Sequence, residues 1–134
     1  MTESEQIEKV LKNAKTIAVV GLSSNPMRAS HGVSAYMQAQ GYRIIPVNPH
    51  EEFVLGEKSY ASLLDVPEHV DIVNVFRRPE FVPEVVEQAI QLKAPVVWLQ
   101  EDVIHEEAAE NARQAGIFVV MDLCILKEHQ KIGR

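Results

Sequence analysis

The fold class of this chain can be predicted from one stretch near its start, Thr16-Ile17-Ala18-Val19-Val20-Gly21-Leu22-Ser23-Ser24-Asn25-Pro26. Its first five residues form a continuous apolar run rich in β-branched side chains, which is typical of a parallel strand buried on both faces. A glycine follows the run directly, and a helical pattern begins at about Ser30. A strand, a turn and a helix in this order indicate the first part of a βαβ unit.

The same alternation recurs along the rest of the chain. Four further strands are predicted at 42–47, 71–76, 95–99 and 117–121, with helices at 30–40, 79–92 and 103–115 between them. Right-handed crossovers place such helices on both faces of a parallel sheet. We therefore predict an α/β fold with a Rossmann-like, doubly wound parallel sheet of five strands. Numbered along the chain, the expected strand order is 3-2-1-4-5, which puts the ligand site between strands 1 and 4.

The length of 134 residues corresponds to one domain, which we expect to cover 1–134. Residues 1–15 are predicted to form an N-terminal helix, because Thr2 and Glu5 have the spacing of a capping box. Residues 125–134 are expected to form a C-terminal tail.

Composition and charge exclude several classes of protein. Thirteen basic and nineteen acidic residues give a net charge of −6, which opposes general nucleic-acid binding. No apolar run approaches the roughly 20 residues that a membrane-spanning helix needs. The single cysteine cannot form an internal disulfide, and the acidic start does not resemble a signal peptide. We expect a cytoplasmic protein with no nucleic-acid or membrane partner.

The loop after the first strand is a candidate phosphate site. Ser23, Ser24, Asn25 and Arg28 offer hydroxyls, an amide and a guanidinium at the start of a helix, where anions are bound favourably. The alternative interpretation is a helix cap followed by an exposed arginine.

The same loop argues against a nicotinamide dinucleotide. Gly21 matches the first glycine of the G-x-G-x-x-G fingerprint, but Ser23 and Pro26 occupy the other two glycine positions. The second strand ends at Asn48 instead of the acidic residue that holds a ribose hydroxyl. Glu51 lies close enough in sequence to keep this alternative open.

Two arginines, Arg77 and Arg78, follow the third strand at the predicted binding edge. Arginine pairs with phosphate oxygens in a bidentate manner that lysine does not match. Alternatively, either arginine forms a surface ion pair with Glu80 or Glu84.

No metal-binding or catalytic pattern is present. The histidines lack the spacing of a metal site. Cys124 follows the fifth strand, but no neighbouring base is evident, so a small buried side chain is favoured over a nucleophile. Glu101 and Asp102 are expected to begin the fourth helix, where the helix dipole favours acidic residues.

The sequences at the strand ends resemble the small stand-alone CoA-binding protein family. The resemblance rests on five segments in order: 20–26, 42–49, 71–79, 97–100 and 119–124. This family is similar to the N-terminal CoA-binding domain of the succinyl-CoA synthetase α subunit, which has a Rossmann-like fold. No residue here matches the phosphorylated histidine of the synthetase, which belongs to a following domain.

The resemblance implies a binding site for coenzyme A. The loop from Gly21 to Asn25 and Arg28 would hold its phosphates. Asn48 and Pro49 would border the nucleotide, and Phe76, Arg77 and Arg78 would line the path to the pantetheine. Two departures affect this site: His50 stands where some relatives have lysine, and Glu101-Asp102 stands where relatives usually have an apolar residue and glycine.

The predicted function is therefore non-catalytic binding of coenzyme A or an acyl-CoA, with no catalytic residue and no metal. Three alternatives remain open. They are an NAD(P)-binding domain of the oxidoreductase type, a CoA-handling component of a ligase that lacks its partner domain, and a regulatory domain with a vestigial pocket.

Overall fold

The computed structural model describes residues 1–132. The helices in this part of the chain are α1 (Glu3–Asn13), α2 (Ala29–Ala39), α3 (Val82–Leu92), α4 (Glu106–Gln114) and α5 (Ile125–Lys131). The strands are β1 (Thr16–Val20), β2 (Arg43–Val47), β3 (Phe53–Val54), β4 (Glu57–Lys58), β5 (Ile72–Val75), β6 (Val96–Leu99) and β7 (Phe118–Met121).

Five parallel strands form the central sheet, in the order β2-β1-β5-β6-β7. The α/β class and the parallel five-stranded sheet are therefore confirmed. The predicted order 3-2-1-4-5 is wrong: numbered along the chain, the five strands lie in the order 2-1-3-4-5.

Pro46 explains why β2 lies at the edge of the sheet. Proline has no N–H to donate to a second neighbouring strand, so it is confined to edge strands. The carbonyl of Pro46 instead accepts a hydrogen bond at 3.0 Å from the N–H of Tyr60, which lies outside the named strands. In contrast, all four residues of β5 are buried, as an interior strand requires. The strand order therefore reverses between β1 and β5.

Helices cover both faces of the sheet, as predicted. Residues of α3 and α4 pack in one core cluster with Val73, Val97 and Val119 of the sheet. Residues of α1, α2 and α5 pack on the opposite face, where Trp98 is fully buried. Successive side chains of each strand point to opposite faces and pack in the two clusters in turn, so β5 and β6 are buried on both faces.

The two ends of the chain differ in how well they follow the prediction. Thr2 and Glu5 form the expected capping box at the start of α1. The predicted tail at 125–134 instead contains α5, whose Ile125 and His129 are buried. Residues 133–134 of that predicted tail lie outside the described residues.

Glu101 and Asp102 do not begin the fourth helix, so this expectation is wrong. The φ angle of Asp102 is +69°, which lies outside the range of a right-handed helix. The helix α4 begins only at Glu106, and the imidazole Nδ1 of His105 caps it by accepting a hydrogen bond from the N–H of Ala108 at 3.1 Å.

Across residues 1–132, no helix is both long and apolar enough to cross a membrane.

Candidate functional site

A cleft of about 880 Å³ lies along the carboxyl edge of the parallel sheet. The loops that follow β1, β2, β5 and β6 line it, together with the residue before α5. Eight predicted site residues line this cleft: Gly21, Ser23, Arg28, Asn48, Pro49, Phe76, Arg77 and Arg78. Ser24 and Asn25, which were also predicted, do not line it. The structure thus brings together residues from three separate strand ends.

Gly21 allows two strand ends to approach each other closely. Its φ angle is +91°, and a Cβ atom at this position would lie 2.3 Å from the carbonyl oxygen of Phe76. The N–H of Gly21 donates to the carbonyl of Val47 at 2.8 Å. Gly21 is therefore required by the contact between the β1 and β5 loops, at the point where strand order reverses.

Ser24 and Asn25 shape the loop from its outer side. The N–H of Asn25 donates to Ser23 Oγ at 3.0 Å, and Asn25 Oδ1 accepts from the N–H of Met27 at 2.9 Å. The N–H of Ser24 donates to Glu51 Oε2 at 2.8 Å. This backbone hydrogen bond holds the pKa of Glu51 below its ordinary value. Glu51 therefore anchors the β1 loop.

The helix α2 points its N-terminus at the cleft without a capping side chain. Arg28 occupies the N-cap position and makes no capping hydrogen bond, and the first turn holds no acidic residue. Arg28, Ala29 and Ser30 all line the cleft. Because the first N–H groups of a helix have no acceptor within the helix, this end attracts anions.

Three arginines line the cleft and have no carboxylate partner. Among residues 1–132, neither Arg28 nor Arg77 nor Arg78 forms an ion pair within 4.0 Å, so pairing with Glu80 or Glu84 does not occur. The guanidinium of Arg77 lies 4.2 Å from the centroid of the Phe81 ring, which holds it by a cation–π contact. The positive charge here remains available to an anion.

Asn48 connects the ends of β1 and β2. Its Nδ2 donates to the carbonyl of Leu22 at 3.0 Å, and its Oδ1 accepts from the N–H of His50 at 2.9 Å. Both side-chain groups are therefore engaged within the protein. Pro49 and His50 are exposed and form the adjacent wall of the cleft.

The binding residues predicted from the sequence did not include those at the other end of the cleft. Gln100, Glu101, Asp102 and Val103 line it after β6, and Cys124 lines it before α5. Their position directly after predicted strands is the signal that identifies them, because parallel strands end at one edge. The thiol of Cys124 is buried and near the cleft, as expected.

The described residues contain no group of three or more histidine, cysteine or acidic side chains that would hold a metal ion. The site in residues 1–132 is thus characterised by arginines, amides and helix N–H groups.

Similar proteins that align over nearly their whole length include YneT of Bacillus subtilis (strain 168). It is 48% identical over 124 residues, which make up 92% of each chain. The solved structure of a hypothetical protein from Pyrococcus horikoshii OT3 is 40% identical and has a TM-score of 0.94, covering 97% of this chain and 92% of that one.

A longer relative is the α subunit of ADP-forming acetate–CoA ligase I from Pyrococcus furiosus. It is 27% identical over 128 residues, which span 84% of this chain but only 28% of that subunit. The remaining length of the ligase subunit has no counterpart in the alignment.

A family model described as a CoA binding domain matches residues 15–130, which include every strand of the central sheet and every residue named above as lining the cleft. The chain therefore belongs to the CoA binding domain family, and it is related to the corresponding domain of CoA ligase α subunits.

Proposed function

We propose that this protein binds coenzyme A or an acyl-CoA in the carboxyl-edge cleft and catalyses no reaction itself. One observation carries the proposal: Arg28, Arg77 and Arg78 meet the N-terminus of α2 in one cleft and have no carboxylate partners in the described chain. The whole protein has a net charge of −6, so this concentration of positive charge is local. Phosphate groups are the ligands that such a site favours.

The dimensions of the edge suit an elongated ligand. Adjacent strands lie about 4.8 Å apart, so five strands span roughly 19 Å. The diphosphate would lie over the β1 and β5 loops, against the arginines. The adenosine part would extend toward Asn48 and Pro49 at the β2 end, and the pantetheine arm toward the β6–β7 end.

The non-catalytic part of the proposal concerns Cys124, the only thiol of the chain. Within residues 1–132 this thiol makes no hydrogen bond to a histidine or a carboxylate, and an activated cysteine nucleophile needs such a base or a strongly lowered pKa. A buried, unpaired thiol suits a reducing compartment, so we place the protein in the cytoplasm.

A second candidate is a CoA-handling component that acts with a separate catalytic partner. The relationship to ligase α subunits favours it, since this chain aligns with only 28% of one such subunit. Binding of NAD(P) is less favoured. Ser23 and Pro26 replace fingerprint glycines, and Glu51 is already bonded to the N–H of Ser24.

Isothermal titration calorimetry with coenzyme A and with NAD tests the assignment. We expect coenzyme A to bind and NAD to bind much more weakly at the same concentration. The variant Arg77→Ala/Arg78→Ala should weaken CoA binding by at least about tenfold, because each lost charged hydrogen bond costs about 1.5–3 kcal/mol.

Arg113→Ala is the matched control. This arginine lies on α4, does not line the cleft, and forms only a partly exposed pair with Glu110 at 3.8 Å. Its removal should leave CoA affinity unchanged. Tighter binding of NAD than of coenzyme A would overturn the proposal, as would unchanged CoA affinity in a folded Arg77/Arg78 variant.

A further inference from the structure

We infer that the β6–β7 end of the cleft accepts neutral acyl thioesters and disfavours acyl groups that end in a carboxylate. The inference rests on the proposed function and specifies its ligand class. It concerns Gln100, Asp102 and Cys124, which line the cleft beyond β6 and which we call the acyl-end pocket.

Gln100 directs an unused hydrogen-bond donor into the acyl-end pocket. Only 3% of this residue is exposed, and its Oε1 accepts a hydrogen bond from the N–H of Ile125 at 3.1 Å. A backbone N–H only donates, so the amide oxygen is fixed toward Ile125 and Nε2 faces away from it.

The amide Nε2 of Gln100 is open to the cleft. Within residues 1–132 this Nε2 has no hydrogen-bond partner. It is also not one of the fully buried side-chain polar atoms without a partner, which in this part of the chain are Ser34 Oγ and Asn74 Oδ1, so it is not fully buried. Nε2 is therefore accessible from the cleft that Gln100 lines. A carbonyl oxygen of the ligand is the complementary group, because an amide N–H pairs well with a neutral acceptor.

Asp102 adds negative charge to the same pocket. In the described chain Lys127 pairs with the neighbouring Glu101 at 3.0 Å, whereas the carboxylate of Asp102 has no ion pair. The N–H of Asp102 donates to Asp122 Oδ1 at 2.8 Å, so a further carboxylate lies beside it. In the described chain this end of the cleft thus holds the carboxylates of Glu101, Asp102 and Asp122 against one lysine, and we expect a locally negative potential here.

These two features act on different parts of an acyl group. The carbonyl of a thioester is uncharged and would accept from Gln100 Nε2. A terminal carboxylate further along the acyl chain would approach Asp102, and like charges brought together in a partly desolvated site are strongly unfavourable. The arginines that would attract such a carboxylate are assigned to the phosphates.

Butyryl-CoA and succinyl-CoA provide a matched pair of probes, since they differ in a terminal methyl group against a carboxylate. By calorimetry we expect the unmodified protein to bind butyryl-CoA about tenfold more tightly than succinyl-CoA. Asp102→Asn should bring this ratio close to one. Asparagine tolerates the left-handed backbone at φ +69°, so this variant should fold. Glu87→Gln removes the same charge from the exposed face of α3 and should leave the ratio unchanged.

Gln100→Glu tests the donor separately. Glutamate keeps an oxygen for the N–H of Ile125 but removes the amide donor, so butyryl-CoA should lose more affinity than free coenzyme A, which has no thioester carbonyl. Equal binding of the two acyl-CoAs, or an unchanged ratio in Asp102→Asn, would overturn the inference while CoA binding itself stands. If none of the CoA compounds binds, the proposed function is wrong and the inference fails with it.

Discussion

At the scale of the residue, Gly21 has a structural role that its place in a phosphate-binding fingerprint does not suggest. The second fingerprint glycine normally serves close approach of a pyrophosphate. Here Gly21, which stands at the first fingerprint position, allows two segments of the protein backbone to approach closely. The carbonyl of Phe76 occupies the space where a side chain of residue 21 would begin.

We expect Gly21→Ala to lower the free energy of unfolding by about 2–4 kcal/mol, because positive-φ strain adds to a backbone clash. Gly116→Ala is the matched control. Its φ angle is +89° with no atom within 4 Å of the added Cβ, so only strain of about 1 kcal/mol should appear. Urea unfolding of both variants measures the difference. Equal losses at the two positions would show that the contact with Phe76 relaxes freely.

At the scale of the element, Asp71 joins the starts of β1 and β5. Its Oδ2 accepts hydrogen bonds from the N–H groups of Lys15 at 2.8 Å and Thr16 at 3.1 Å. Partial burial by itself would raise the pKa of Asp71, but these N–H groups outweigh it and hold the pKa below its ordinary value. The ionised carboxylate thus stabilises the pairing of two central strands.

A lowered pKa means that Asp71 stabilises the fold when ionised. This contribution is fully present above about pH 4 and is lost as the pH falls through the lower pKa of the folded state. Asp71→Asn should cost about 1–3 kcal/mol at neutral pH and should remove this part of the acid dependence.

Chemical denaturation of Asp71→Asn and the parent between pH 7 and about pH 3 checks the prediction. Asp65→Asn, at an exposed position outside the sheet, is the control and should behave as the parent. A constant difference in stability across this pH range would contradict the assigned role of the carboxylate.

At the scale of the whole molecule, charge is distributed unevenly. The protein carries −6 overall, yet arginines without carboxylate partners in the described chain line one end of the cleft and acidic residues the other. Such a local field attracts an anion. Salt weakens this attraction, because the Debye length is shorter than about 10 Å once the salt concentration exceeds 0.1 M.

CoA affinity should therefore fall roughly fivefold when sodium chloride is raised from about 50 mM to about 300 mM. The Arg77→Ala/Arg78→Ala variant should show a weaker salt dependence, because fewer positive charges remain to be screened. Titrations of both proteins at several salt concentrations provide the measurement. An identical salt dependence would place the phosphates away from these arginines.

The types of element and the residues at strand ends were readable from the sequence. Apolar runs and helical periodicity record which faces of an element are buried, and this information is local. It was sufficient to predict the parallel sheet and the capping box of Thr2, and eight of the ten predicted site residues, including Arg77 and Arg78, line the cleft. The residues that contact a ligand remain a prediction.

Tertiary structure alone decided how these parts are arranged. The position of β5 beside β1 depends on pairing between distant segments, although Pro46 is a local sign that β2 lies at an edge. The helix α5 forms because its apolar residues pack on the sheet, and short helices gain little stability from propensity alone. Asp102 has a positive φ and donates its N–H to Asp122, twenty residues away, instead of beginning a helix. Contacts of this kind join segments far apart in sequence, so no local pattern records them.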